Sequence, residues 1–183
     1  MKKTWLMALL LVLPAVASAA PRSVLYPKSE IGFSVKQMGV AVSGVFRRYS
    51  ASIDLDPAQP EKSRADIEIE TASLSTGEAE ADGEAVKKPW LDVPGFPKAS
   101  FHSSSVRALA AGRYEAKGAL SIKGKARELT IPFTLASQPD GSTLASGEFN
   151  IKRTDFGIGG GEWNEGDLVA QDIAIRFRLL LAK

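Results

Sequence analysis

The sequence predicts an all-β, antiparallel fold in one domain, and three observations carry that reading. Apolar and polar residues alternate with a period of two along almost all of the chain from Ser23 onward, as in strands with one apolar and one polar face. Turn-forming residues interrupt these runs at short intervals. There is no cysteine, so stability has to come from a buried core and not from disulfide staples.

The alternating runs number about eight. "SEIGFSVK" aligns Ile31, Phe33 and Val35. "YSASIDLD" aligns Tyr49, Ala51, Ile53 and Leu55, and "RADIEIE" aligns Ala65, Ile67 and Ile69. "KASFHS" pairs Ala99 with Phe101, and "RYEAKGALSI" aligns Tyr114, Ala116, Leu120 and Ile122. "ELTIPFTL" presents Leu129, Ile131, Phe133 and Leu135, while "GEFNIK" presents Phe149 and Ile151. The last run, "QDIAIRFRLLL", offers Ile173, Ile175, Phe177, Leu179 and Leu181. Gln138-Pro139-Asp140-Gly141-Ser142 is a strong hairpin connector, because Pro fixes φ and Gly supplies positive φ. Lys123-Gly124-Lys125 and Ala110-Ala111-Gly112 are weaker ones, and Asp56 to Ser63 is a longer crossing. Eight such strands bury their apolar faces either as two packed sheets or as a closed barrel, and closure removes both edges.

One segment departs from the alternation. Ser73 to Trp90 is rich in Ala and Glu, Ser75 and Glu78 stand at capping-box spacing, and Pro89 ends it. A short helix is predicted in the Ser75–Lys88 region. Its acids cannot form a calcium loop, since the twelfth position is Pro89 where a bidentate Glu is needed.

The N-terminus reads as an export signal, residues 1–19. Lys2 and Lys3 precede the apolar "TWLMALLLVLPAV", and Ala17-Ser18-Ala19 supplies small residues for cleavage near Ala19 or Ala20. The apolar run is short for a membrane span. The expected product is a periplasmic chain of residues 20–183, without stable membrane insertion. Removing two lysines from the 23 Lys+Arg leaves 21 against 21 Asp+Glu, a net of zero. Such a balance gives no electrostatic footprint for nucleic acid.

Chemistry-bearing motifs fail one by one. The single histidine, His102, cannot supply a zinc site or, with only neighbouring serines, a triad. Its strand neighbours Ala99 and Phe101 face the other side, so His102 points outward. Glu68 and Glu70, like Asp54 and Asp56, alternate with apolar residues and read as a solvated face. Asp155-Phe156-Gly157 spells a kinase tripeptide but lacks its partner motifs. Gly157 to Gly161 do not lead a strand into a helix, so the dinucleotide fingerprint fails too. A hairpin turn or bulge requiring positive φ is expected there.

Five segments in order complete the picture: Ser29 to Phe46, "SLSTG" (Ser73 to Gly77), Pro89 to Val106, Gly118 to Phe133, and "FNIKRTDFGIGGGEW" from Phe149 to Trp163. Together they resemble the YceI-like family of exported polyisoprenoid-binding proteins over essentially the whole mature length. The resemblance implies an eight-stranded, lipocalin-like barrel over residues 20–183. Its elongated apolar pore would hold a long polyisoprenoid or an isoprenoid quinone, with no enzymatic activity and no cofactor beyond that lipid. A homodimer is compatible with it. Many members carry His where this chain has Gln37, so a role for that histidine does not transfer.

Physical chemistry supports such a ligand. Burying a CH₂ group gains about 0.8 kcal/mol, so a five-carbon isoprene unit gains roughly 4 kcal/mol gross. The candidate lining is Phe33, Phe46, Phe101, Leu120, Ile131, Phe149, Ile151, Ile175 and Phe177. Trp163, like Trp90 and Phe96 beside a turn, would gate a mouth or cap an end. Arg47 and Arg153 are candidates for a polar head group. Two other readings predict different interiors. An enzyme acting on such a lipid needs a polar pair inside, and a stress-related interaction module needs a filled core.

Overall fold

A computed structural model describes residues 22–110 and 112–183. The proposed export signal lies outside the described residues. Ten strands, not eight, form one antiparallel sheet: β1 (Glu30–Gln37), β2 (Val40–Phe46), β3 (Tyr49–Asp54), β4 (Arg64–Glu70), β5 (Leu74–Ser75), β6 (Lys98–Ala110), β7 (Arg113–Ile122), β8 (Lys125–Ser137), β9 (Thr143–Lys152) and β10 (Val169–Leu181). Their order is β3-β4-β6-β7-β8-β9-β10-β1-β2-β5. The sheet curls into a half-barrel, in keeping with a lipocalin-like fold.

The two strands beyond expectation have clear causes. Val40 to Phe46 is almost uniformly apolar and contains Gly44, so its period of two is invisible. It becomes a strand because Met38 (φ 50°) and Gly39 (φ 81°) make a two-residue hairpin turn back from β1. The second, β5, is only two residues long and pairs with Val45 and Phe46. Here β2 and β3 form nearly one strand, bent at Arg47-Arg48, whose halves pair with opposite ends of the sheet. Bridges from Arg22 to Ile53 and from Val24 to Leu181 tie β3 to β10. On the other side the ladder opens. Pro132 has no N–H to give, and β8 pairs with β9 only from Thr134 to Ser137.

The connectors expected at Lys123–Lys125 and Gln138–Ser142 form, while Ala111 of the one expected at Ala110–Gly112 lies outside the described residues. Lys123 (φ 51°) and Gly124 (φ 71°) turn β7 into β8, and Gly141 (φ 83°) serves the β8–β9 hairpin. The stretch after β9 is no hairpin but a sixteen-residue loop, 153–168, holding 3₁₀ turns at Arg153–Phe156 and Gly161–Trp163. The helix α1 is shorter than predicted, Ala79–Ala85. Ser75 lies in β5, and Glu78 stands at the N-cap without a side-chain capping bond. The Asp82 carboxylate does the anchoring instead, accepting from the Thr76 N–H at 2.6 Å and its hydroxyl at 2.7 Å.

Two buried clusters make the core. One, around Leu91, Phe101, Leu120, Ile151, Phe156 and Ile158, lies toward the β7–β8 turn. The other, around Ile31, Ile53, Ala145, Leu179 and Leu181, lies toward the Arg22–Val24 bridges. Phe133 and Phe177 pack against both.

Candidate functional site: an apolar cavity closed by a buried arginine

Between these clusters runs a cavity of about 340 Å³. Its wall is the inward row of each long strand, including Ile31, Phe33 and Val35 from β1 and Ile173, Ile175 and Phe177 from β10. Lining residues on β10 extend from Val169 to Leu179, about 33 Å of strand at roughly 3.3 Å per residue. All nine predicted lining residues face it: Phe33, Phe46, Phe101, Leu120, Ile131, Phe149, Ile151, Ile175 and Phe177. Five of these (Phe33, Phe46, Phe149, Ile175 and Phe177) are only half-buried although they point inward.

Two of the bulky rings lie over glycines on the neighbouring strand. Phe33 is opposite Gly44 and Phe177 opposite Gly147. A Cβ on Gly44 would meet the Phe33 ring at 2.6 Å, and one on Gly147 would meet the Phe177 ring at 2.7 Å. The rings can therefore lie flat along the wall, which keeps the centre open.

The charged lining residues sit at the ends. Asp54 and Arg64, paired across β3 and β4, mark one end. Glu84 of α1 and Arg153 mark the other. His102 points outward, as expected, with Nδ1 2.7 Å from Asp66 on the exposed face.

Arg153 is fully buried, at 0 % exposure, and burial pushes its guanidinium down from its ordinary pKa. All five of its N–H groups donate to backbone carbonyls. Nε binds Ala170 at 3.1 Å, and Nη1 binds Ile158 at 3.0 Å and Gly159 at 2.7 Å. Nη2 binds Val169 at 3.0 Å and also Trp163. A guanidinium has no sixth donor. Arg153 is thus a knot that folds loop 153–168 over the end of the cavity, which corrects its assignment to a lipid head group. The loop needs Gly159 here: its φ is +66°, and a Cβ would lie 2.6 Å from Arg153 Nη1 and 2.9 Å from the Trp90 ring.

Lys123 makes a second, smaller knot. Its ammonium donates to Lys88 O (2.8 Å), Pro89 O (3.3 Å) and Gly157 O (2.9 Å), joining the β7–β8 turn to both covering loops. Desolvation by burial lowers its pKa. Of the remaining predictions, Trp163 lies outside the wall and packs on Trp90, their ring centroids 5.6 Å apart. It is Trp90 that lines the cavity. Arg47 is also off the wall, exposed, with Nη2 donating to Ser75 Oγ at 3.1 Å.

Wall residues not predicted include Val42 and Leu74, on the two unforeseen strands, and Leu91 and Ile158 in the covering loops. Arg153 had a usable signal. The β9 alternation that turns Phe149 and Ile151 inward also turns residue 153 inward.

This geometry has counterparts among known proteins. The YceI-like domain family matches residues 24–181. A UPF0312 protein of Yersinia enterocolitica is 33% identical over 134 residues, 70% of this chain and 69% of that protein. One of Pseudomonas syringae pv. syringae is 30% identical over 136 residues, 71% of each. Burkholderia cenocepacia BcnA superposes with a TM-score of 0.84 at 33% identity, covering 87% of this chain and all of that one. A polyisoprenoid binding domain from Saccharophagus degradans shares the fold, with a TM-score of 0.69 at 15% identity, covering 88% of this chain and 98% of its own. With a covered apolar cavity and a family match across nearly every described residue, the chain belongs to the YceI-like family.

Proposed function

We propose that this chain is an exported, periplasmic lipid-binding protein that shelters a long polyisoprenoid or isoprenoid-quinone tail in its apolar cavity. The observation that carries the reading is the half-buried state of Phe33, Phe46, Phe149, Ile175 and Phe177, which face inward onto open space. A filled interaction module would seal these rings. An apolar chain laid along them gains about 0.8 kcal/mol per buried CH₂, less the cost of ordering it. The Saccharophagus domain, described as polyisoprenoid binding, has the same fold and gives this reading its precedent. The charged groups at the wall stand at the ends and not as a pair in the middle, which favours carrying a lipid over transforming one.

The test is native mass spectrometry with solvent extraction of protein purified from an exporting host. A co-purifying lipid of isoprenoid mass, released by extraction and rebound by the stripped protein, is the expected result. Stripped protein that takes up neither a polyisoprenoid nor a prenylated quinone would overturn the proposal.

A further inference from the structure

The cavity has a mouth, and the mouth has an apolar lip. Four wall residues are exposed among those described: Gln37, Ala81 and Glu84 at the end where β1 turns into β2, and Arg64 at the other. Arg64 is folded onto its own chain, with Nη1 donating to Ser63 O at 2.7 Å and Glu61 O at 3.3 Å. The flanking Leu55 and Ser63 are buried. The opening therefore lies between the β1–β2 hairpin and α1. There the hairpin carries the apolar row of its wall past the cavity. Val40 stands opposite Gln37 and shares the inward face of Val42, yet it is 66% exposed. Met38, in the turn, is 71% exposed, and its N–H donates to Leu168 O at 2.8 Å. Leu168, 49% exposed, directly precedes the wall residue Val169. These are three of the five exposed large hydrophobic residues among those described; Tyr26 and Leu109 stand toward the opposite end of the strands.

Size and charge decide what this lip can meet. A stable protein–protein interface takes about 20–30 residues a side, and one turn with three apolar side chains cannot supply it. Such a tip suffices for shallow, reversible contact with the acyl boundary of a bilayer, where binding scales with the apolar area buried. The charges beside the opening are mostly acidic. Glu165 and Asp167 precede Leu168, and Glu78, Glu80, Asp82 and Glu84 belong to α1 and its N-cap, against Lys36, Lys87 and Lys88. Lys87 is paired with Glu84 at 2.5 Å. Lys123 and Lys125 lie at the β7–β8 turn, with β9 and β10 between that turn and the hairpin, and Lys152 stands opposite Asp172. An excess of acids beside the lip repels anionic head groups.

We propose that Met38, Val40 and Leu168 dock the mouth onto a bilayer surface of zwitterionic lipid, so that the ligand passes between acyl chains and cavity without crossing water. The proposal rests on the cavity being a lipid site. The probe is a benzoquinone with a four-unit isoprenoid tail, supplied either in phosphatidylcholine vesicles or in detergent. Wild-type mature protein is compared with the triple variant Met38→Asn, Val40→Thr, Leu168→Gln. Asn tolerates the positive φ at residue 38, and Thr keeps a β-branched side chain in the strand.

Uptake from vesicles by the wild type should speed up in proportion to vesicle concentration, as collision requires. The triple variant should slow it at least about tenfold, since burying the exposed part of three such side chains outweighs a factor of ten in partitioning. Its dissociation constant for quinone supplied in detergent should match the wild type. Replacing half of the phosphatidylcholine by phosphatidylglycerol should slow wild-type uptake. Equal rates for the two proteins, or faster uptake from the anionic vesicles, overturns the docking and leaves the lipid site standing. So does self-association of the wild type that the triple variant loses, which would assign the lip to a second copy of the chain. No uptake of quinone from either source overturns both readings.

Should the triple variant fail to fold, the wild type decides alone. A transfer rate independent of vesicle concentration means that the quinone leaves the bilayer through water before it is caught, and overturns the docking. A rate that climbs with phosphatidylcholine vesicles and drops with anionic ones supports it.

Discussion

Replacing Arg153 by methionine removes a cation of similar length while leaving its five carbonyl partners in place. Each buried acceptor left without a donor costs about 1–3 kcal/mol, so five would cost about 5–15 kcal/mol, as much as the whole stability of a typical domain. Two effects reduce that sum. Loop carbonyls of Ile158, Gly159 and Trp163 can turn toward water, and removing the guanidinium relieves its own desolvation. Single-partner deletions from buried charged networks cost about 3–5 kcal/mol, and that range is expected here. For a chain of this length each kcal/mol lowers Tm by roughly 2–4 °C, so the melting point should fall by about 6–20 °C. Arg153→Lys, which keeps three of five donors, should fall between the wild type and the methionine variant. Calorimetry of the three mature proteins gives the order directly, and amide exchange should show loop 153–168 opening first. A methionine variant melting within 2 °C of wild type would refute the knot.

Three further expectations follow from the wall and its rim. Phe149→Glu places a carboxylate on the half-buried inner face and should abolish uptake of a prenylated quinone while far-UV circular dichroism stays native; undiminished uptake by the folded variant removes Phe149 from the site. Gly147→Ala forces a methyl group against the Phe177 ring at 2.7 Å and the Pro132 carbonyl at 2.5 Å; crowding of this kind costs about 1–3 kcal/mol, checked by urea denaturation, and a midpoint equal to wild type would contradict the flat-ring packing. The third concerns pH. Hydrogen bonds from the Thr76 backbone and hydroxyl hold Asp82 below its ordinary 3.8. The unfolded segment therefore takes up the proton at higher pH than the folded one. The anchor's contribution is complete above the ordinary carboxylate value and fades as pH falls through the lower folded value. Protection of the Ala79–Ala85 amides, referenced to unfolded-chain exchange at each pH, should fall below about pH 4, and Asp82→Asn, which has no proton to take up, should abolish that fall; wild-type protection that does not change with pH would count against it.

Much of the wall was legible because its code is simple. Ile31, Phe33, Val35 and Ile173, Ile175, Phe177 each alternate with polar residues, and a period of two assigns a face without knowing the partner strand. That code failed at Val40 to Phe46, where apolar residues fall on both faces and only the Met38-Gly39 turn makes a strand. It failed also at Ser75, which forms a ladder with β2 and not a helix cap, because pairing depends on a strand 30 residues away. The covering loops were harder still. Leu91 and Ile158 obey no repeat, and their burial follows from Arg153 and Lys123 gathering carbonyls from distant segments.

The β9 strand joins these two levels of organisation. Phe149, Ile151 and Arg153 follow one alternation, so all three point into the barrel. The first two line the cavity, Phe149 half-buried and Ile151 buried, and build an apolar wall. The third meets loop carbonyls that Gly159, with its positive φ and missing Cβ, allows to approach. A charge at an inward position would ordinarily argue against a lipid pore. Here it is compatible with one, because all five guanidinium donors are spent on the backbone that closes the end and none is left for what lies inside. The wall stays apolar up to its cover.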